Sequence, residues 1–399
     1  MQQIVQAARE RRASVGRFLR DIIAIPSPSG GEGPVARRIL EEMRRLGYDE
    51  ARLDAYGNVL GRIGRGRPAL LFDSHIDTVG VGDRAAWPWD PFQGKEEDGW
   101  IYGRGASDNK GGLAAMVHGG ALIKDLALAA GCTIYVCGSV CEEDSDGIGY
   151  KGLFELEKIR PDYVILGECT DLAIYRGHRG RMELSATIRG RSCHASAPER
   201  GDNPINKMAA FLPRIPQLND RLRGDVFLGK GTIAATKIEC QTPSLNAVPD
   251  SCTVYFDRRL TRGETKESAV AELRQLFGAE AEIEILKYDQ PSHSGVRLEM
   301  EKYYPTWVLE EDHVLVRAAV DAFRGCFGKA PKVDKWTFST NGVYTMGVAG
   351  VPTIGLGPAR EEYAHSTQDR VEIEDLVQAM AFYAAVPAAL QKLLSRENR

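Results

Sequence analysis

The sequence of 399 residues contains no Cys-x-x-Cys pair, although it has eight cysteines. Scattered cysteines of this kind fit neither a disulfide framework nor a cysteine-bound zinc site, and they are typical of reduced thiols in a cytoplasm. Two of them, Cys141 and Cys169, are expected to be inert thiols packed in the interior. We therefore expect a cytoplasmic protein.

Blocks of basic residues are also missing, and the formal net charge is −4 at pH 7. A nucleic-acid partner is therefore not expected. We find no signal peptide and no apolar run long enough to cross a bilayer, so no membrane partner is expected. The glycine pair at 111–112 has no Walker or dinucleotide pattern around it, which argues against a phosphate-binding loop.

What is present is a globular composition, with 43% apolar and 27% charged residues. A chain of this length predicts two domains. Short apolar strands such as "ALLFDSH", "CTIYVCGSV" and "DYVILGE" alternate with helices. This alternation predicts an α/β fold with a mainly parallel sheet covered by helices.

The pattern changes near residue 178, where amphipathic strands flank helices predicted at about 203–221 and 264–277. Strand–helix–strand–strand–helix–strand is the order of the ferredoxin-like α+β sandwich. The first pattern returns after "DQPSHSG". We therefore predict a split α/β domain, formed by residues 1–177 and 293–399, with an inserted domain at 178–292.

Titratable residues follow the predicted strands of the split domain. In parallel α/β sheets, ligands bind at the carboxyl ends of the strands, so these groups are expected to share one rim. Imidazole and carboxylate without thiolate suit zinc, cobalt or manganese, and one carboxylate can bridge two ions. The candidates that follow strands are His75 and Asp77; Glu142, Glu143 and Asp144; Glu168; and His365. Asp108 joins them from "GRGASDNKGG", a Gly-rich loop that enters a helix.

The motifs "HIDTV", "GRGASDNKGG", "EED", "GE" and the late histidine occur in an order that resembles a known family. This is the family of co-catalytic dizinc amidohydrolases that includes acetylornithine deacetylase, succinyl-diaminopimelate desuccinylase, carboxypeptidase G and tripeptidase. The resemblance covers essentially the whole chain. It implies that His75 and Glu168 bind one metal, that Glu143 and His365 bind the other, and that Asp108 bridges both.

The resemblance also implies roles for two further acids. Asp77 would orient the His75 ring and raise its basicity. Glu142 would be the general base that activates a water shared by two divalent ions, most simply zinc. It would then protonate the departing amine.

In the inserted domain, "GRSCHASAPERGDNPI" matches the family pattern. The resemblance implies that His194 donates to the developing oxyanion, in dimeric relatives from the neighbouring subunit. It also implies that the inserted domain acts as a lid and that a homodimer forms through it. Asn246 and Arg259 match positions that hold the carboxylate of a small-molecule substrate, and Arg258 is the rival for the arginine role.

Two residues depart from the family pattern. Asn341 stands where relatives often carry an acid, and Asp369 stands where many carry Glu. Both are expected near the substrate side chain. The stretch "WTFSTNGVYTMG" resembles a branch described as selenium-metabolism-linked hydrolases, a description that names no reaction.

The remaining histidines are not expected to take part in the site. His118 lies within a predicted helix and is expected to pack or form a local hydrogen bond. His178, His293 and His313 lie near element boundaries and are expected to be ordinary surface residues.

The sequence therefore predicts a metal-dependent hydrolase that cleaves the amide bond of an N-acyl amino acid or a short peptide. Three alternatives remain. One is a dipeptidase or carboxypeptidase-type exopeptidase, and another is a non-catalytic, metal-stabilised binding protein. The third, a two-metal phosphoesterase, would need phosphate-selective basic loops that the sequence lacks.

Overall fold

The computed structural model describes residues 1–129 and 131–397. Within these ranges the helices are α1 (Gln2–Glu10), α2 (Arg12–Ile23), α3 (Gly33–Arg45), α4 (Gly111–Asp125), α5 (Ile148–Glu155), α6 (Pro204–Phe211), α7 (Arg214–Arg221), α8 (Lys266–Phe277), α9 (Val314–Phe327) and α10 (Ile373–Glu397). The strands are β1 (Glu50–Leu53), β2 (Val59–Gly64), β3 (Ala69–His75), β4 (Lys95–Glu97), β5 (Trp100–Tyr102), β6 (Thr133–Ser139), β7 (Tyr163–Leu166), β8 (Ile174–Tyr175), β9 (Gly177–His178), β10 (Gly180–Arg189), β11 (Gly224–Asp225), β12 (Gly229–Lys230), β13 (Thr232–Gln241), β14 (Ser251–Leu260), β15 (Glu282–Ile285), β16 (Lys287–Tyr288), β17 (Met300–Glu301), β18 (Tyr303–Tyr304), β19 (Trp307–Val308), β20 (Val333–Asp334), β21 (Thr353–Gly355) and β22 (Arg370–Glu372).

The larger sheet has eight strands in the order β1-β2-β6-β3-β7-β21-β8-β20. Its centre is parallel, through the pairs β6–β3, β3–β7 and β7–β21. Antiparallel pairs on both sides of this centre make the sheet mixed. The predicted α/β class is therefore confirmed, and the carboxyl ends of the central strands lie at one edge.

Strand β3 shows how the sequence builds this sheet, because its residues alternate between the two faces. Leu70 and Phe72 pack in the main core with helices such as α4 and α10. Leu71 packs on the other face, in the cluster that includes Leu153 of α5. With both faces covered, the strand is buried throughout and reads as a continuous apolar run.

The inserted segment forms a second sheet with the order β13-β14-β10-β15, and β18 pairs with β10. In chain order the elements are β10, α6 and α7, β13, β14, α8 and β15, which is the predicted ferredoxin-like arrangement. A separate apolar core lies between this sheet and its helices. The helix predicted over 203–221 is two helices, because Pro213 interrupts the helical hydrogen bonding between α6 and α7.

The prediction that His178 is a surface residue was wrong. Its side chain is buried, and its Nε2 lies 2.8 Å from Trp307 Nε1 and 3.1 Å from Thr340 Oγ1. Burial lowers the pKa of His178 to about 4, so the ring is neutral at neutral pH. His118 is buried inside α4, as expected, with Nε2 3.5 Å from Glu42.

Helix α10 also differs from the sequence-based expectation. It is long and apolar enough, by length and composition, to cross a membrane, yet 78% of the apolar window is buried inside the protein. The helix packs against α1, α2, α4 and α9. Its apolar character is thus explained by its place in the core.

Candidate metal centre

Five side chains predicted as metal ligands lie together at the edge where the central strands end. His75 is the last residue of β3, Glu143 lies in the loop after β6, and Glu168 follows β7. Asp108 lies in the segment Ala106–Lys110 that leads into α4, where its own backbone is extended rather than helical, with φ −129° and ψ 93°. His365 lies in the segment after β21, with a backbone φ of 56°.

The first group of ligand atoms comes from His75, Asp108 and Glu168, all of which are buried. His75 Nε2 lies 3.0 Å from Asp108 Oδ1 and 3.6 Å from Glu168 Oε1. The other ring nitrogen, Nδ1, lies 3.0 Å from the backbone oxygen of Asp77. This contact fixes the ring so that Nε2 points into the group.

The second group comes from Asp108, Glu143 and His365. His365 Nε2 lies 3.2 Å from Asp108 Oδ2 and 3.1 Å from Glu143 Oε2. Asp108 therefore directs one carboxylate oxygen to each histidine. A carboxylate with this arrangement can bridge two ions.

The donor set fits divalent cations. Two ligand atoms of a tetrahedral zinc ion, with bonds of about 2.0–2.1 Å, lie about 3.3 Å apart. The four histidine-to-carboxylate distances in the two groups range from 3.0 to 3.6 Å. Buried carboxylates also need compensating positive charge, which two divalent ions would supply. The residues that would hold them are those of the two groups.

Glu142 lies beside the two candidate ligand groups and is buried, with Oε2 3.9 Å from His75 Nε2. Burial raises the pKa of Glu142 well above its usual range, and the negative charges of Asp146 and Glu168 act in the same direction. A carboxyl group with a raised pKa takes up a proton more readily than an ordinary one, which suits a group that accepts a proton and later returns it. This is the chemistry that a general base and acid requires.

Asp77 does more than the sequence predicted. Its Oδ1 lies 3.6 Å from His75 Nδ1, while the histidine is held mainly through the Asp77 backbone oxygen. The carboxylate accepts hydrogen bonds from the backbone N–H groups of Glu142 and Glu143, at 3.2 and 3.0 Å. Ser29 Oγ donates a third, at 2.7 Å. Asp77 therefore joins the end of β3 to the loop that carries Glu142 and Glu143.

The two ligand groups line a cavity of about 380 Å³ between the split domain and the insert. Arg259 lines it, and its Nε and Nη2 donate to Asp257 at 2.7 and 3.0 Å. Arg258 faces the insert core instead, where its buried guanidinium pairs with Glu264 and Glu272. Of the two arginines, only Arg259 reaches the cavity.

His194 and Asn246 do not line this cavity in the single chain. Both are exposed residues of the insert, and their loops are joined by a hydrogen bond from Ala195 N–H to the Asn246 oxygen at 2.8 Å. Nδ1 of His194 lies 2.7 Å from Ser196 Oγ. The structure thus brings these two residues to each other and leaves them apart from the ligand groups.

Asn341 and Asp369 were expected near the substrate side chain, and the structure corrects this. Asn341 is buried beneath the site, where its Nδ2 donates to Asp73 Oδ2 at 3.0 Å and its Oδ1 accepts from Gly147 N–H at 2.8 Å. Asp369 is buried and accepts from Ser107 N–H and Oγ at 2.8 and 2.6 Å. Burial raises the pKa of Asp369 to about 6. Both residues support the loops that carry the site.

Three charged residues of the cavity wall were missed by the sequence analysis: Asp146, Arg181 and Glu361. Asp146 and Arg181 form an ion pair of 2.8 Å that joins the loop after β6 to the insert. For Arg181, the only sign in the sequence was that β10 has a polar side. A sequence alone does not show whether such a side faces solvent or a substrate cavity.

Cys141 and Cys169 are buried beside the site, and burial raises the pKa of both thiols, as expected for inert packing.

A split α/β domain with a ferredoxin-like insert and two imidazole–carboxylate groups defines a class of metal-dependent hydrolases. Peptidase family M20/M25/M40 matches residues 71–389, and the chain belongs to this family. This confirms the resemblance found in the sequence. The protein is therefore an enzyme of the amidohydrolase and peptidase type, and the non-catalytic alternative is not supported.

Curated relatives span almost the whole chain. The protein described as uncharacterized protein YgeY of Escherichia coli K12 is 49% identical over 387 residues, covering 96% of each chain. A succinyl-diaminopimelate desuccinylase of Methylorubrum extorquens is 28% identical over 388 residues, covering 92% of this chain and 96% of its own. The description of the first relative names no reaction.

Solved structures share the fold. A family M20 metallo-carboxypeptidase of Sulfolobus solfataricus superposes with a TM-score of 0.74 at 19% identity, covering 93% of this chain and 98% of its own. A dinuclear metal-binding peptidase of the same family from Bacillus subtilis gives 0.69 at 15% identity, covering 97% and 99%. At these identities the similarity shows the architecture alone.

Proposed function

We propose that this enzyme hydrolyses the amide bond of an N-acyl amino acid or a short peptide, using two divalent metal ions and Glu142. The observation that carries the proposal is the bridging geometry of Asp108, whose two oxygens lie 3.0 Å from His75 and 3.2 Å from His365. Zinc is the proposed metal, and cobalt or manganese would suit the same donors.

The metal ions, when bound, would lower the pKa of a water molecule and polarise the scissile carbonyl. Residues of the chain carry out proton transfer, support of the loop and substrate binding. Glu142 takes a proton from the attacking water and returns it to the departing amine. Asp77 holds the loop of Glu142 in place, and Arg259 binds the substrate carboxylate through its remaining donors.

We also propose a homodimer that forms through the insert. Strand β13 is an edge strand whose residues after Ile233 are exposed, including Ile238 at 52%. A long exposed edge strand has unpaired backbone N–H and C=O groups, and together with an apolar side chain it favours pairing with another chain. In this assembly His194 and Asn246 would complete the cavity of the partner subunit, with His194 donating to the oxyanion.

Light scattering on the purified protein tests the assembly. Ile238→Lys should shift it toward the monomer, whereas Lys237→Ala on the same strand should leave the mass unchanged. A monomeric wild-type protein would remove the homodimer and the proposed role of His194 across subunits.

The reaction is tested by a screen of acetyl-, succinyl- and carbamoyl-amino acids alongside dipeptides, with and without a chelator. Hydrolysis of at least one class, abolished by the chelator and restored by a divalent metal, is the expected result. A protein that keeps its metal but hydrolyses none of these amides would contradict the proposal.

An exopeptidase is the second candidate, because one acid of the cavity is suited to an ammonium group. Glu361 lines the cavity, and its buried Oε1 has no hydrogen-bond partner among the described residues. A peptide substrate carries a free ammonium group that this carboxylate could accept, whereas an acylated amino acid does not. Faster hydrolysis of dipeptides than of acyl-amino acids, lost in Glu361→Gln, would favour this alternative.

We further propose a cytoplasmic location, which the eight unpaired cysteines support. We also propose that residues 1–177 and 293–399 form a catalytic domain and that residues 178–292 form an inserted lid and dimerisation domain. The pairing of β18 with β10 extends the insert's sheet by residues that follow position 292.

A further inference from the structure

Two arginines of the insert lie side by side on the wall of the cavity. Arg181 of β10 and Arg259 of β14 are directly opposite each other in the antiparallel ladder. Directly opposite residues share one face of a sheet, with Cβ atoms about 4.5–5.5 Å apart. Both side chains line the cavity that contains the metal ligands. The insert therefore presents two adjacent guanidinium groups to the substrate site.

On this face of the sheet, residues of like charge lie opposite each other: two arginines form one pair and two acids form the next. The next pair along the same face is Glu183 opposite Asp257, and neither acid lines the cavity. Like charges placed directly opposite each other are destabilising, and exchanging one arginine with one acid would remove both repulsive pairs. The observed order instead puts both positive groups at the cavity end, which indicates an anionic ligand.

Arg181 keeps donors that none of the described residues accepts. Its Nη2 donates to Asp146 Oδ1 at 2.8 Å, and its guanidinium carbon lies 4.6 Å from the centre of the Tyr304 ring. Nη1 is 4.0 Å from Glu183, beyond hydrogen-bond distance, and the buried Nε has no partner among the described residues. Asp146 and Tyr304 thus hold the group in place without using all of its donors.

We propose that Arg181 is a specificity-determining residue that binds a second carboxylate of the substrate. This inference rests on the proposed function, in which Arg259 binds the first carboxylate. Because the two guanidinium groups are neighbours, both carboxylates belong to one compact group. The geometry points to an acidic amino acid, aspartate or glutamate, as the residue released from the amide.

The test is calorimetric binding of N-acetyl-L-glutamate and N-acetyl-L-glutamine to the metal-loaded Glu142→Gln protein, so that binding is measured apart from turnover. We expect the glutamate compound to bind about tenfold or more tightly, the effect of a charge-assisted hydrogen bond. Arg181→Gln in the same background should remove this preference, and Arg181→Lys should restore part of it. Arg189→Gln is the matched control, because Arg189 is an exposed arginine at the far end of β10.

Equal binding of the two compounds, or a preference that survives Arg181→Gln, would overturn the proposal, and so would failure of both compounds to bind. If Glu142→Gln fails to fold, competitive inhibition of the wild-type enzyme by glutarate and glutaramate gives the same comparison. Amide hydrolysis without a glutamate preference would remove the role of Arg181 and leave the proposed reaction intact. Preferential, Arg181-dependent binding without hydrolysis would support the role of Arg181 and contradict the proposed reaction.

Discussion

The carboxylate of Asp77 accepts a hydrogen bond from the backbone N–H of Glu143 at 3.0 Å. The same carboxylate lies 3.6 Å from the ring of His75, which belongs to the other ligand group. One buried acid therefore contacts residues of both groups. The position of each group therefore depends on a residue that belongs to neither group.

This relationship predicts the effect of Asp77→Asn. The amide cannot accept hydrogen bonds at both of its ends, so the loop of Glu142 and Glu143 loses one of its supports. We expect a loss of about 10–100-fold in metal affinity, the usual effect of removing such a supporting group. The measurement is the metal content after dialysis against graded chelator. Asp321→Asn, at an exposed site on α9, is the control and should retain wild-type affinity.

The bridging geometry of Asp108 predicts unequal losses of metal among the ligand variants. Glu168→Ala and His365→Ala each disturb one group, so each should leave about one ion per chain of the two. Asp108→Ala disturbs both groups and should leave less than either. Elemental analysis of the purified proteins measures this. His194→Ala, outside both groups, should keep both ions, and equal metal content in all four variants would contradict the ligand assignments.

Glu142→Gln separates catalysis from metal binding. The amide keeps the size of the side chain but cannot take a proton from water, so the rate should fall by roughly 10²–10⁴-fold. The metal content should be unchanged, because Glu142 belongs to neither ligand group. Asp144→Asn in the same loop is exposed and should stay within a few-fold of the wild-type rate. A nearly normal rate for Glu142→Gln would require a different base.

The two neighbouring arginines of β14 should behave differently. Arg259→Gln should raise KM for carboxylate-bearing substrates by about tenfold or more and change KM for the corresponding amides much less. Arg258→Gln removes a buried partner of Glu264 and should lower the free energy of unfolding by about 3–5 kcal/mol. Steady-state kinetics and urea unfolding of both variants check the contrast. Equal KM effects in Arg259→Gln on acids and amides would exclude the carboxylate role.

The candidate ligands could be predicted from the sequence because they lie in motifs that resemble those of a known family. Four of them also lie at or after the ends of central parallel strands, which meet at a common edge. The surroundings of the site could not be predicted. Asn341 bonds to Asp73, 268 positions earlier in the chain, and no local pattern reveals this contact. Arg181 was missed because every amphipathic strand has polar residues on one side, and these are normally interpreted as facing solvent. Its function depends on which side of the insert faces the cavity.

A buried acid at the start of α3 is expected to make the stability of the protein depend on pH. Glu32 is fully buried at the start of α3, and it accepts a hydrogen bond from the N–H of Cys141 at 2.9 Å. Its second oxygen, Oε2, has no partner among the described residues. Burial, together with the negative charge of Asp77, raises the pKa of Glu32 from 4.5 to about 7.

Between pH 4.5 and 7 the folded protein therefore holds a proton on Glu32 that the unfolded chain has lost. The stability contributed by this proton is fully present below pH 4.5 and is lost as the pH rises through 7, a change of about 3 kcal/mol. Glu32→Gln carries a permanently neutral group, so its advantage over the wild type should grow across this range. Urea unfolding of both proteins at each pH isolates the effect, since titrations of the other groups cancel in the difference. Glu41→Gln, exposed on the same helix, should follow the wild type. A constant difference between Glu32→Gln and the wild type would show that Glu32 is already ionised in the folded protein.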